Sequence, residues 1–238
     1  MSLTLYVRGD FMELKDMSEY NQHLTQIMSD SRGFVIFKRC PEGVCFAADT
    51  FEKGVDTNKN IHRLTYDKEK KVVFAFSGYT TREMEEGSIS VGLLAKDLFP
   101  LVGEYKDIEI AQWIKINLFN FLKDPKALAE RNIQYMYYHM GEAMDLESAL
   151  ILYPATAISC IYEPFIYKDS FTIGVNSNSY NEKHIREDNE KKSLEEIKKE
   201  CIKEVNARIN DMRIPAVGGK AEWITIDKNG NVETNIED

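Results

Sequence analysis

GFVIFKRCPEGVCFAAD, residues 33–49, is the stretch whose reading decides the fold. Gly33 to Lys38 and Val44 to Ala48 are apolar runs rich in β-branched, aromatic and small residues. Between them Cys40-Pro41-Glu42-Gly43 makes a short link, in which proline presets φ and glycine accepts positive φ. Two such runs joined by a short Pro/Gly link predict a β-hairpin. The second strand carries almost no polar side chain, which predicts cover on both faces. It ends on Asp49, a carboxylate at the edge of a dry strand.

Working outward, residues 11–29 place Phe11, Leu14, Met17, Tyr20, Leu24 and Ile27/Met28 at helical spacing, predicting an amphipathic helix before the hairpin. Thr50 to Asn60 reads as an exposed loop, Ile61 to Tyr66 as a strand, and Val72 to Gly78 as a buried strand. Thr80 or Thr81 is placed to cap a helix, with Glu83, Glu85 and Glu86 near its positive end. Asp107 is placed to cap a second helix through Leu122, and a third helical pattern runs through Leu128, Ile133, Met136, Tyr137 and Met140. Strands are predicted at Ala149–Tyr153, Ala157–Tyr162 and Ser170–Val175. Ser193 then caps a strongly periodic helix over SLEEIKKECIKEVNARI. The chain closes on a hairpin, Ala221–Ile226 and Val232–Ile236, around Asp227-Lys228-Asn229-Gly230. Strands grouped before and after the helices predict antiparallel sheets covered by helices, an α+β domain.

With 238 residues the chain suits one large domain, and no linker or repeat divides it. A net charge of −9 argues against nucleic acid or an anionic membrane as partner. No apolar run approaches the roughly 20 residues a transmembrane helix needs, and the N-terminus lacks a secretory pattern. A cytoplasmic protein is therefore expected. The four cysteines fit a reducing compartment. Cys160 and Cys201 read as buried thiols, while Cys40 and Cys45 flank the hairpin link and could approach one another. His23, His62, His139 and His184 are scattered, so neither a metal site nor a cofactor is expected.

Four segments carry a family resemblance. Gly43-Val44-Cys45-Phe46-Ala47-Ala48-Asp49, Asn60-Ile61-His62-Arg63-Leu64 with Val73 to Gly78, Thr172-Ile173-Gly174-Val175-Asn176-Ser177, and Val217-Gly218-Gly219 with Trp223 to Gly230 follow in order across residues 33–236. In that order the chain resembles the proteasome-type N-terminal nucleophile hydrolases, as a divergent member without the N-terminal threonine. The resemblance implies a four-layer αββα sandwich over residues 31–238, after a leader at 1–30 with a short helix. Residues 124–142 then read as a helical insertion. It also implies contacts between copies, hence a homo-oligomer, and admits a protein partner.

In that family a Thr, Ser or Cys becomes residue one after self-cleavage and its own amine is the base. By count from Gly43, that position falls on Gly33, which has no side chain to attack with. Asp49 matches the family's second-strand Asp, and the Lys position falls on Asn60 or, with a one-residue slip, Lys59. The late Asp and Ser positions fall near the apolar Ile214 and Val217. The expectation is a catalytically silent scaffold or binding module, its pocket at Gly33, Asp49, Lys59, Asn60 and Ser177. The alternative is an active Ser/Thr-type amide hydrolase with a displaced nucleophile such as Ser31, exposed by cleavage after Asp30. Asp49 also has a purely structural reading, as a strand-end carboxylate receiving backbone N–H groups or pairing Lys59.

Overall fold

The computed structural model describes residues 3–7, 10–14, 33–53, 58–78, 81–84, 87–90, 97–104, 134–140, 149–152, 164–166, 170–174, 189–214 and 216–236. In chain order the strands are β1 (Leu3–Val7), β2 (Asp10–Leu14), β3 (Phe34–Cys40), β4 (Gly43–Asp49), β5 (Phe51–Lys53) and β6 (Asn58–Asn60). Then come β7 (Leu64–Asp67), β8 (Val72–Ser77), β9 (Thr81–Met84), β10 (Gly87–Ser90) and β11 (Gln134–His139). The last are β12 (Ala149–Leu152), β13 (Pro164–Ile166), β14 (Ser170–Gly174), β15 (Ala221–Asp227) and β16 (Val232–Thr234). The helix α1 spans Leu194–Ile209.

Two five-stranded antiparallel sheets carry the architecture, ordered β13-β12-β11-β8-β7 and β14-β3-β4-β15-β16. The expected hairpin is β3–β4, in register from Val35↔Ala48 to Cys40↔Gly43. All seven residues of β4 are buried, because each face meets a different core. Val44, Phe46 and Ala48 join Val35 and Phe37 against Leu64, Val73, Ala75, Met136 and Tyr138 of the facing sheet. Cys45 and Ala47 join Phe34 and Ile36 beneath Ile197, Cys201 and Val205 of α1. Alternation along one strand thus serves both cores.

Helix α1 begins as its sequence predicts. The Ser193 side chain accepts from the Glu196 N–H, and the Glu196 carboxylate accepts from the Ser193 N–H, closing a capping box. Those bonds hold the Glu196 carboxyl below its ordinary value. The Leu194 N–H donates to Glu42 in the β3–β4 link at 2.8 Å, tying the helix start to the hairpin. In the same link Gly43 has φ +152°, and a Cβ there would lie 2.2 Å from the Ile226 carbonyl oxygen. Gly43→Ala is therefore expected to cost about 2 kcal/mol, the scale of atoms forced into packed space, read as a lower urea midpoint at unchanged slope.

Several expected elements give way to strand pairing, most of it in local hairpins. Residues 11–14, the start of the expected leader helix, form β2 against β1; residues 15–29 lie outside the described residues. Over residues 81–90 the helix expected from Thr80/Thr81 through Leu98 is instead the hairpin β9–β10, pairing Thr81 with Ser90 and Met84 with Gly87; residues 91–96 lie outside the described residues, and Asp97 and Leu98 are helical. The β-branched Thr81 and Ile89 favour extended backbone over helix there. The third helical pattern gives way at Gln134–His139, where β11 pairs along its whole length with β8. Met136 and Tyr138 satisfy a period of two as well as Met136 and Met140 satisfy a helical one, and the vacant sheet position beside β8 decides between them. Thr50 to Asn60 contains the β5–β6 hairpin rather than only loop, and the strand expected from Ile61 begins at Leu64. The helix after Asp107 and the strand Ala157–Tyr162 lie outside the described residues.

The buried thiols Cys40, Cys45 and Cys201 share one core cluster, as expected of Cys201 and of the approach of Cys40 to Cys45. Cys45 faces α1, and its thiol neighbour is Cys201; burial, then that thiol, push the Cys45 pKa well up. Burial likewise raises Cys40. Such thiols are poor nucleophiles.

Candidate functional site

The site forms where the β3–β4 hairpin ends. Asp49 is fully buried at the last position of β4. Its Oδ1 accepts from the Phe34 N–H at 2.7 Å and from Arg63 Nε at 2.9 Å. Its Oδ2 accepts from the Gly218 N–H at 3.1 Å and the Phe51 N–H at 3.3 Å. Three segments distant in sequence are thereby joined on one carboxylate. A buried carboxylate is tolerable only with this degree of pairing.

Arg63 is as buried as its partner. It stands just before β7, and its Nη2 donates to the Phe51 carbonyl at 2.5 Å. Its Nη1 is buried without a hydrogen-bond partner among the described residues. The guanidinium lies directly beneath Gly33: a Cβ on that residue would fall 2.1 Å from Arg63 Cζ and 2.4 Å from Nε. Gly33 has φ +70°, the left-handed region, and its carbonyl comes so near Gly174 that a Cβ there would stand 2.1 Å from it. The Gly33 nitrogen is a peptide amide that donates to the Ala216 carbonyl at 2.9 Å. An amide nitrogen so engaged has no basic lone pair.

A second buried carboxylate, Glu222 on β15, supports Arg63 from below. One oxygen accepts from the Arg63 N–H at 2.6 Å and the Leu64 N–H at 2.8 Å. The other meets His62 Nδ1 at 2.9 Å. Burial raises the Glu222 pKa, while the bonds from His62 and the two backbone amides oppose that rise.

Of the residues singled out from sequence, Gly33 and Asp49 meet here. Of the two structural readings of Asp49, receipt of backbone N–H groups holds, from Phe34, Phe51 and Gly218, and the cation bonded to it is Arg63; the Lys59 side chain lies outside the described residues. Lys59 and Asn60 lie on β6, in register with Glu52 and Phe51. Ser31 and Ser177 lie outside the described residues. Arg63, Glu222 and Gly218 were missed. Arg63 was visible as a cation inside the alternating Ile61–Tyr66 stretch, and Glu222 as a lone carboxylate in the apolar run Ala221–Ile226. Among the described residues, no three His, Cys, Asp or Glu side chains gather as metal ligands, and no helix is long and apolar enough to cross a membrane.

No protein-family model matches the chain, and no curated protein does. Among solved structures it is similar to Anbu (ancestral beta-subunit) from Yersinia bercovieri, with TM-score 0.62 and 13% identity over 86% of this chain and 87% of that one. It is also similar to a mutant Anbu from Hyphomicrobium sp. strain MC1, with TM-score 0.57 and 15% identity over 84% of each chain. The fold is proteasome-related. The sequence-based identification of a divergent N-terminal nucleophile hydrolase that lacks its threonine is corrected accordingly. At such identities the likeness is to Anbu architecture and carries the fold alone, not membership of that hydrolase family or a history of catalysis.

Proposed function

We propose that this is a catalytically silent proteasome-like protein that works as a homo-oligomeric scaffold or binding module. The observation that carries the reading is the Arg63 guanidinium in the space where a side chain on residue 33 would begin. The matching position in an attacking enzyme needs a hydroxyl or thiol and a base beside it. Here the residue has no side chain, its nitrogen is an engaged amide, and the room beneath it holds a paired cation. The pocket around Gly33, Asp49, Lys59, Asn60 and Ser177 then serves binding or structure rather than hydrolysis.

The same reading includes a four-layer αββα domain over residues 31–238, preceded by a leader. Val73 and Ala75 of β8 face the other sheet. Phe74 and Phe76 alternate to the opposite face and are also buried, which supports a covering layer there. A cytoplasmic location belongs to this reading too, supported by the free buried thiols of Cys40, Cys45 and Cys201.

Intact mass of freshly expressed protein, followed by treatment with an electrophilic probe for N-terminal hydroxyl and thiol nucleophiles, tests the proposal. The expected outcome is an uncut chain with no adduct. A species beginning near Ser31 that takes up the probe would establish a displaced nucleophile instead.

A further inference from the structure

The bonds around Glu222 do more than anchor a strand. Residues 61–63 belong to no strand, yet the Arg63 side chain must leave the backbone at a defined point to reach Asp49. Glu222 supplies that definition by gripping the N–H groups of Arg63 and Leu64 with one carboxylate oxygen. Its other oxygen is bonded to His62. The His62 side chain is 63% exposed and that of Glu222 only 4%. Solvent protons therefore reach the imidazole directly and the carboxylate through it.

We propose that His62 and Glu222 form a proton-responsive latch that holds Arg63 in place beneath Gly33. With His62 charged, the buried carboxylate has a full ion pair and two amide donors, and the segment is clamped. With His62 neutral, Glu222 keeps its negative charge in a dry site with weaker compensation, and the clamp loosens. The clamp needs Glu222 ionised, so protonation of that carboxyl, which burial favours, works against it. Only the proton on His62 favours the clamped state toward acid, and its contribution is lost as pH rises.

Among the described residues, the titratable side chain bonded to Glu222 is His62; Arg63 meets Glu222 through its backbone N–H and carries its charge to Asp49 instead. On the other face of β15, Lys198 stacks over Trp223 and pairs with Glu195 and Glu233, so its charge is directed away from the latch. The inference goes beyond the proposed silence of the site, because it concerns what holds Arg63 whether or not the protein ever hydrolyses a bond.

Native-state amide hydrogen exchange from about pH 5.5 to about pH 8.5, the interval in which imidazoles generally titrate, tests the latch. After correction for intrinsic exchange, protection at the Arg63, Leu64 and Phe34 amides is expected to fall by about fivefold or more toward alkaline pH. The Val73 amide in the centre of the facing sheet serves as control and stays level. Glu222→Gln and His62→Gln should each flatten the dependence. Should Glu222→Gln fail to fold, His62→Gln alters only an exposed side chain and decides alone. Protection that is independent of pH in the natural protein, or a dependence that survives His62→Gln, overturns the proposal.

Discussion

Replacing Arg63 by leucine is expected to destabilise the protein by about 3–5 kcal/mol, the cost of breaking a buried ion pair by removing one partner. The reason lies with the residue left behind. Asp49 would retain its three backbone N–H donors but would carry an uncompensated charge in a fully buried site. The Phe51 carbonyl would lose its donor as well. Against a typical total of about 5–15 kcal/mol, such a loss moves the urea midpoint far enough to be unmistakable. Removing both charges together, in Asp49→Asn with Arg63→Leu, should cost less than the sum of the single changes. The pair couples directly, and contacting residues show interaction energies of about 0.5–3 kcal/mol. Strict additivity would mean that the two side chains do not form the pair at all.

The second large effect is expected at Gly33. Gly33→Thr asks a β-branched residue to hold φ +70° and to place its Cβ 2.1 Å from Arg63 Cζ. The backbone part alone costs about 1–2 kcal/mol for an L-residue, and displacing the guanidinium from Asp49 adds the ion-pair penalty described above. A total of about 4–7 kcal/mol is expected from these two contributions. The variant should gain a hydroxyl but no reactivity toward an electrophilic probe, since no free amine stands beside it. Gly33→Ala made together with Arg63→Ala should cost less than the two changes separately, because the first collision disappears with the guanidinium. If Gly33→Thr were as stable as the natural protein, the arginine would not occupy that space, and the argument for silence would lose its support.

The parts of this protein that were legible in advance share a physical trait: each is governed by neighbours close in the chain. The β3–β4 hairpin follows from alternating apolar runs around a Pro/Gly link. The start of α1 follows from Ser193 and Glu196 three residues apart, and the closing hairpin from Asn229-Gly230. The dry character of β4 was likewise legible, because a strand of small and apolar residues can be stable only when both faces are covered. Where patterns were ambiguous the helical period yielded to a strand partner, supplied by β8 from far along the chain at Gln134–His139 and by the segment's own hairpin at Thr81–Ser90. Propensity differences of a fraction of a kcal/mol per residue yield readily to a sheet position next to β8.

The site divides the same way. Gly33 and Asp49 could be singled out because they bound one hairpin and sit at a countable spacing. The choice of Arg63 as the cation could not, since it depends on how β7 of one sheet meets the end of β4 in the other. Gly218 donates to Asp49 across 169 positions of chain, and Glu222 grips the Arg63 amide across 159. Only the packing of two sheets brings these groups within hydrogen-bond reach, and only there does desolvation make a carboxylate choose its partners so strictly. Sequence decided which residues could be strands and which carboxylate would be dry; tertiary structure decided which cation would neutralise it, and that the cation would fill the place beneath Gly33.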